Sequence, residues 1–299
     1  MKTARVVEYG GPEMLEVVDT ADPDVPEGLV MVAVVASSVN PVDVKMRSPE
    51  FPQEIGAFPA TLGWDVSGIV TSAPEGSSWR PGDRVIALYP PNGSTGAWSQ
   101  RVAIVPGLLV RAPAELDLVS SAALPLAGLT AVQALSRLSI REGDRVLVTG
   151  AAGAVGGLAV QLAASSGAYV GALVSREAHV DEALSLGADF ATCHVADLSD
   201  YDAVFDTAGV LDQPKILRHG GSLVTVSDDV ISAPVLERAG WADHNYVRQD
   251  PEGLERLVQQ IDAERLRVRI SHRYPLGDIR GAHRRFEDGG NLGKIVITL

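Results

Sequence analysis

Residues 145–176, RVLVTGAAGAVGGLAVQLAASSGAYVGALVSR, carry the clearest chemical signal in this sequence. A β-branched run ends in a glycine-rich turn from Gly150 to Gly157, a helical stretch follows to about Ser166, and a second run closes at Val174. The turn reads Ala151-x-Gly153-x-x-Gly156, a dinucleotide-binding fingerprint with alanine in place of its first glycine. Gly153 lets the backbone approach a pyrophosphate, and Gly156 lets helix and strand pack closely. The helix start, with Ala152, Gly153, Ala154 and Val155, offers unpaired N–H groups to the anion. A plain glycine-rich connection is the competing reading. The strand before the turn, the helix after it and the strand beyond favour the anion cradle.

The end of the second strand bears on which dinucleotide is bound. Sites for NAD place an acidic residue about 20 residues beyond the turn to accept the ribose 2′-hydroxyl. This chain has Ser175-Arg176 there, a hydroxyl and a guanidinium that can donate to a 2′-phosphate in charge-assisted hydrogen bonds. NADPH is therefore the expected cofactor. Against this, Arg176 can be read as an exposed residue of a helix first turn, partly offset by Glu177. A chain with 25 Lys and Arg against 38 Asp and Glu, net −13, needs local cations to hold a polyanion; Arg176 and Lys294 are the candidates. The same charge disfavours nucleic acid and anionic membranes as partners.

Metal chemistry finds few ligands. Cys193 is the single cysteine and reads as a small buried or half-buried residue. The six histidines, at 179, 194, 219, 244, 272 and 283, show no close pair at metal-ligand spacing, so no metal site is expected. One cysteine also makes no internal disulfide. The N-terminus lacks the apolar core of a signal peptide, and no run approaches a membrane span, so a cytoplasmic, soluble protein is expected.

Positioning these residues requires two kinds of element. Up to about Pro113 the apolar runs are short and β-branched (Val6-Val7, Leu29 to Val35, Gly68 to Val70, Arg84 to Leu88, Arg101 to Val105), punctuated by Gly and Pro. This texture suits a partly open barrel, with a plain β-sandwich as the alternative. From near Ser120, helical patterns alternate with strands: RVLVTG, YVGALV, DAVFDT, SLVTVS and a strand around His244 to Val247, with a helix PEGLERLVQQIDAERL. That alternation predicts a doubly wound parallel sheet covered on both faces. After Leu266 short strands return and end in GKIVITL, which we expect to rejoin the N-terminal domain. The expected α/β architecture is a β-rich domain of residues 1–117 and 267–299 with a doubly wound domain of residues 118–266 inserted in it.

Several motifs occur in a family's order: Asn40-Pro41-Val42-Asp43, Gly63-Trp64-Asp65-Val66-Ser67-Gly68, Pro81-Gly82-Asp83-Arg84-Val85, and Leu124-Pro125-Leu126-Ala127-Gly128-Leu129-Thr130-Ala131. The glycine turn, Phe205-Asp206-Thr207-Ala208-Gly209 and Gly293-Lys294-Ile295-Val296 complete the series. Together they resemble the medium-chain dehydrogenase/reductase superfamily, in its zinc-free quinone oxidoreductase (zeta-crystallin-like) branch. The resemblance covers nearly the whole chain. It implies a GroES-like catalytic domain from both chain ends, an inserted Rossmann domain, a substrate cleft between them, and a homodimer or homotetramer. Zinc-dependent members carry a His-Glu pair where this chain has Trp64-Asp65, which again speaks against zinc.

By the same resemblance Asn40 lines the cleft beside the nicotinamide and donates to the substrate carbonyl or the ribose. Lys45 stands where many quinone oxidoreductases have tyrosine, and supplies charge or a proton to an enolate; the alternative is a solvated or paired lysine. Asp43 reads as structural. Trp64 fills the missing ligand's place and shapes the cleft wall, or is an ordinary core aromatic. Thr130 at a helix start approaches the nicotinamide, while Ala208, Gly209, Val226 and Ser227 flank the ribose and carboxamide. Lys294 is either a cofactor contact or an exposed edge lysine. The segments Gly96 to Arg101, Thr71 to Trp79 and Arg47 to Pro59 depart from the pattern and are expected at the cleft mouth. A nicotinamide without a metal delivers hydride to an electron-poor carbon whose charge moves to a conjugated oxygen. The expected activity is NADPH-dependent reduction of quinones or of the conjugated C=C of α,β-unsaturated carbonyls. A non-catalytic NADPH-binding sensor or structural subunit on the same fold is the alternative.

Overall fold

Short alternating runs form the strands of the first half of the chain, and the computed structural model describes residues 1–24, 26–50, 57–210 and 212–299. They fall into two units, Met1–Leu126 with Gln249–Leu299, and Ala127–Arg248. The chain opens with β1 (Lys2–Val6), β2 (Leu15–Asp19), β3 (Val30–Val39), α1 (Pro41–Arg47), β4 (Ala60–Thr61), β5 (Asp65–Ser72), β6 (Arg84–Leu88), β7 (Arg101–Ile104), β8 (Val110–Arg111) and α2 (Leu118–Ser121). It continues with α3 (Pro125–Leu138), β9 (Arg145–Thr149), α4 (Ala154–Ser165), β10 (Tyr169–Leu173), α5 (Val180–Ser185), β11 (Phe190–Thr192), β12 (Tyr201–Asp206), β13 (Leu217–Thr225), α6 (Ala233–Arg238) and β14 (Trp241–His244). The return consists of α7 (Pro251–Asp262), β15 (Ile270–Pro275), α8 (Ile279–Glu287) and β16 (Lys294–Thr298).

In the first unit β2, β1 and β4 make one sheet, and β15-β16-β3-β5-β6-β8 make the other, with β7 also paired to β3. The last strand lies antiparallel on β3, Ile295 opposite Val39 and Ile297 opposite Ser37, so the C-terminus completes a sheet begun by the N-terminal half. The unit's boundaries differ from those expected. Residues 118–126 and 249–266, assigned by sequence to the inserted domain, belong to the first unit. Helix α2 packs on β3, β5 and β16, and α7 packs on β8. Leu254, Leu257, Val258 and Ile261 form the buried stripe of α7. The same amphipathic pattern would serve a helix flanking a parallel sheet, so periodicity alone cannot say which sheet the helix covers.

The second unit is built on a parallel sheet in the order β11-β10-β9-β12-β13-β14. Numbered within the unit, this is the 3-2-1-4-5-6 order of a dinucleotide-binding sheet, whose direction reverses between β9 and β12. Leu147, Leu173, Val204, Leu217 and Leu223 are buried in its core. Strand β14 lies three residues earlier than expected, because Trp241 to His244 pair with Ser222 to Thr225. Strand β11 was not anticipated, three residues being too few for an alternation to show.

Candidate active site

Local backbone geometry after β9 builds an anion cradle. Gly150 takes φ +60°, and a Cβ there would lie 2.4 Å from Thr207 Oγ1. Gly153 is the N-cap of α4 in extended conformation. A Cβ on Gly156 would meet the Gly150 carbonyl oxygen at 2.3 Å, so only glycine allows this helix–strand approach. Gly153, Ala154 and Val155 are half-buried at the helix start, and Ala152 is buried just before it. The residues present fit a pyrophosphate: the 12-residue helix starts from its N-cap Gly153, whose lack of a side chain leaves the backbone there bare.

Beside the turn, at the point where strand order reverses, Asp206 is fully buried and joins three strand ends. Its carboxylate accepts from Thr149 Oγ1 at 2.7 Å and Thr225 Oγ1 at 2.9 Å, and from the N–H groups of Gly209 and Val210 at 3.2 Å. Thr149 Oγ1 in turn accepts from the N–H groups of Thr207 and Ala208. The loops after β12 and β13 are thereby fixed, with Ala208 exposed and Gly209, Val226 and Ser227 half-buried. Ser227 Oγ donates to Asp229 Oδ2 at 2.6 Å. In the sequence Asp206 stands within a motif with no evident role of its own; the signal for it is an aspartate ending an apolar strand that lies between two threonine-ended strands. Thr130 is buried within α3 instead of at its start.

Beyond β10, Ser175 and Arg176 are both exposed, so the guanidinium is accessible to a phosphate. Glu177 follows; Cys193 is half-buried as expected, but spacing along the chain did not show that Glu177, Cys193 and His194 come together. Cys193 Sγ donates to Glu177 Oε2 at 3.2 Å and lies 3.7 Å from His194 Nε2. The hydrogen bond to Glu177, with some burial, pushes the thiol above its ordinary value.

In the first unit, Asn40 and Lys294 stand in a buried polar network. Asn40 Nδ2 donates to Asp65 Oδ2 at 2.9 Å and to Ser38 Oγ at 3.3 Å, and its Oδ1 accepts from Lys294 Nζ. Asp65 also accepts from Ser38 Oγ and from Leu126 N at 2.7 Å, and its Oδ2 pairs with Lys294 Nζ at 3.8 Å. Asn40 is fully buried and Lys294 nearly so. Two expectations change: Asn40 is not an open donor, since both amide hydrogens and the carbonyl oxygen have internal partners, and Lys294 is not an exposed edge lysine but a buried partner of Asn40 and Asp65. Burial lowers the Lys294 ammonium below the ordinary lysine value, against the pull of Asp65 and Asp43. Asp43 accepts from Asn40 N at 2.9 Å and Gly63 N at 3.1 Å, tying the start of α1 to the segment before β5. Burial pushes its carboxyl up to about 7, with those N–H groups opposing.

Lys45 projects from the last turn of α1, half-buried. Trp64 is half-buried and packs against the core that includes Leu62, Trp98 and Ile295. Of Gly96 to Arg101, expected at a cleft mouth, residues 96–99 are buried, Ala97 and Trp98 fully, and Trp98 donates to Ser38 O at 3.2 Å, whereas Arg101 is exposed. Of the loop 47–59, residues 51–56 lie outside the described residues. Arg47 Nε donates to His283 Nδ1 at 3.3 Å, and Arg47 also pairs with Glu287.

Comparison with known proteins places this geometry. Residues 26–113 match the alcohol dehydrogenase GroES-like domain, and residues 178–297 match a zinc-binding dehydrogenase family. The 2-methylene-furan-3-one reductase of Solanum lycopersicum is 30% identical over 314 residues, covering 99% of this chain and 79% of the relative. The chain belongs to the quinone oxidoreductase branch of the medium-chain dehydrogenase/reductase superfamily. The NADPH-dependent alkenal/one oxidoreductase of Arabidopsis thaliana is 29% identical over 315 residues, with the same coverage. The quinone oxidoreductase structure from Coxiella burnetii superposes with TM-score 0.90 at 28% identity, covering 100% of this chain and 99% of that one. As a medium-chain dehydrogenase/reductase, the chain shows the superfamily's GroES-like domain and Rossmann sheet.

Proposed function

We propose that this chain is an enzyme that uses NADPH to reduce quinones or the conjugated C=C of α,β-unsaturated carbonyls. The observation that carries the reading is the open N-terminus of α4, glycine-lined at the reversal of the parallel sheet, with exposed Arg176 where NAD sites have an acid. The near-full-length likeness to an alkenal/one oxidoreductase and a methylene-furanone reductase supports the substrate class and favours an enzyme over a sensor.

The bound cofactor supplies the hydride. The chain's own contribution is orientation. In this reading the N–H groups at the start of α4 hold the pyrophosphate, and Ser175 and Arg176 hold the 2′-phosphate. Gly209 and Ser227, on loops locked by Asp206, border the nicotinamide half. Lys45 is the group assigned to place positive charge near the substrate oxygen and to return a proton to the enolate. Asn40, Asp65 and Lys294 are positioning residues that fix the start of α1 and hence Lys45. The reading includes the cytoplasmic location and homodimer or homotetramer expected from sequence, the latter checked by sedimentation. No described helix is long and apolar enough to cross a membrane.

Product analysis tests the chemistry. Incubation with cyclohexenone and NADPH is expected to give cyclohexanone. Formation of cyclohexenol instead would mean carbonyl reduction and would overturn the substrate assignment.

A further inference from the structure

Glu177, Cys193 and His194 bring a carboxylate, a thiol and an imidazole to one spot on the second unit, their donor atoms all within 4.8 Å of one another. We propose that these three side chains form a Zn2+ site, with solvent as the fourth ligand. Parallel pairing assembles it. Leu173 lies opposite Thr192, and Val174 N donates to Thr192 O at 3.0 Å, so the segments leaving β10 and β11 start side by side. The first segment brings Glu177 and the second Cys193 and His194.

Two of the three ligand edges lie within about 0.4 Å of tetrahedral values, and the third is under 4.8 Å. With Zn–S near 2.3 Å and Zn–N or Zn–O near 2.0–2.2 Å, tetrahedral ligand edges are about 3.3–3.6 Å. The structure has 3.2 Å from Sγ to Oε2 and 3.7 Å from Sγ to Nε2. A thiolate and an imidazole select zinc over magnesium or calcium, which prefer all-oxygen shells. The thiolate and carboxylate together balance the dication. Behind the ligands, His194 N donates to Thr192 Oγ1 at 3.0 Å, and that hydroxyl donates to Asp197 Oδ2 at 2.7 Å, which fixes the backbone carrying two of the three donors. Glu177 and His194 are exposed and Cys193 half-buried, leaving room for entry and for the solvent ligand. This site is distinct from Trp64-Asp65 in the first unit. Because Glu177 adjoins Arg176, an ion here also pins the residue assigned to the 2′-phosphate; that coupling rests on the cofactor reading above.

Cobalt substitution gives the test. The chelator-treated full-length chain titrated with Co2+ is expected to develop a sulfur-to-cobalt charge-transfer band at one equivalent, displaced by Zn2+. Cys193→Ser should abolish the band, and His194→Gln should weaken Zn2+ binding more than roughly tenfold, the lower end for changes in outer-shell partners. Circular dichroism of both variants, expected unchanged, separates ligand loss from misfolding, and Glu177→Gln provides a third ligand variant. Absence of the band, or equal Zn2+ affinity in wild type and Cys193→Ser, would overturn the site. An NADPH Kd indifferent to Zn2+ would overturn the coupling alone. Failure to bind NADPH under any condition would instead strike the cofactor reading, leaving the cobalt result standing.

Discussion

Arg176 and Lys294 are the two cations singled out by sequence, and they differ in environment. Arg176 is exposed, whereas Lys294 is buried against Asp65 and Asn40. One charge-assisted hydrogen bond contributes about 1.5–3 kcal/mol. Arg176→Ala is therefore expected to raise the NADPH Kd by about tenfold or more and to leave the NADH Kd nearly unchanged, as calorimetry would read. Equal effects on both would remove the basis for the cofactor choice. Lys294→Met leaves the Asp65 carboxylate buried without its cation, and breaking such a pair costs about 3–5 kcal/mol. Urea unfolding should show that loss, largely recovered in Asp65→Asn/Lys294→Met. The glycine turn was readable because backbone geometry demands a residue type. The Asn40–Asp65–Lys294 network was not, since it joins the N-cap of α1 to residues of β5 and β16, and no local pattern reports which way Asp65 points.

Elements carry the second lesson. The strand–turn–helix around Gly150 was legible because glycine is the residue that permits Gly156 to sit against the Gly150 carbonyl. Gly156→Ala must separate α4 from β9, an overpacking change costing about 1–3 kcal/mol, and should weaken NADPH binding as well. A thermal melt and a binding isotherm on the same sample check both; an unshifted melt would mean that helix and strand are not so closely apposed. Helix α7 shows the opposite case. Its buried stripe of Leu254, Leu257, Val258 and Ile261 announced a helix but not the sheet it covers. The backbone N–H groups of Ala114 and Glu115, donating to Asp262, help tie it to the first unit.

For the molecule as a whole, acid stability follows from where titratable groups are buried. Burial and the neighbouring Arg47 lower His283 from 6.5 to about 3. The unfolded chain takes up a proton on this histidine as pH falls below about 6.5, while the folded chain stays neutral until about 3, so His283 lowers stability progressively through that window. Asp43, raised from 3.8 to about 7, acts in the opposite sense, because the folded chain binds its proton first as pH falls. The unfolding free energy of wild type minus that of His283→Gln should therefore shrink as pH drops from about 6.5 to about 3, and the corresponding difference for Asp43→Asn should grow as pH drops from about 7 to 3.8. Flat differences across urea melts at several pH values would mean that these groups keep their ordinary proton affinities. The two-part architecture and the reductase reading were legible in the order of motifs along the chain. The unit boundaries and the Glu177–Cys193–His194 cluster required the three-dimensional pairing of β10 with β11. The most direct measurement is the initial rate of NADPH and NADH oxidation by chelator-treated protein with cyclohexenone, benzoquinone and cyclohexanone. The expected result is turnover with NADPH on at least one conjugated acceptor and none on the saturated ketone. Oxidation of NADPH by the ketone alone, or no turnover with any acceptor despite NADPH binding, would contradict it.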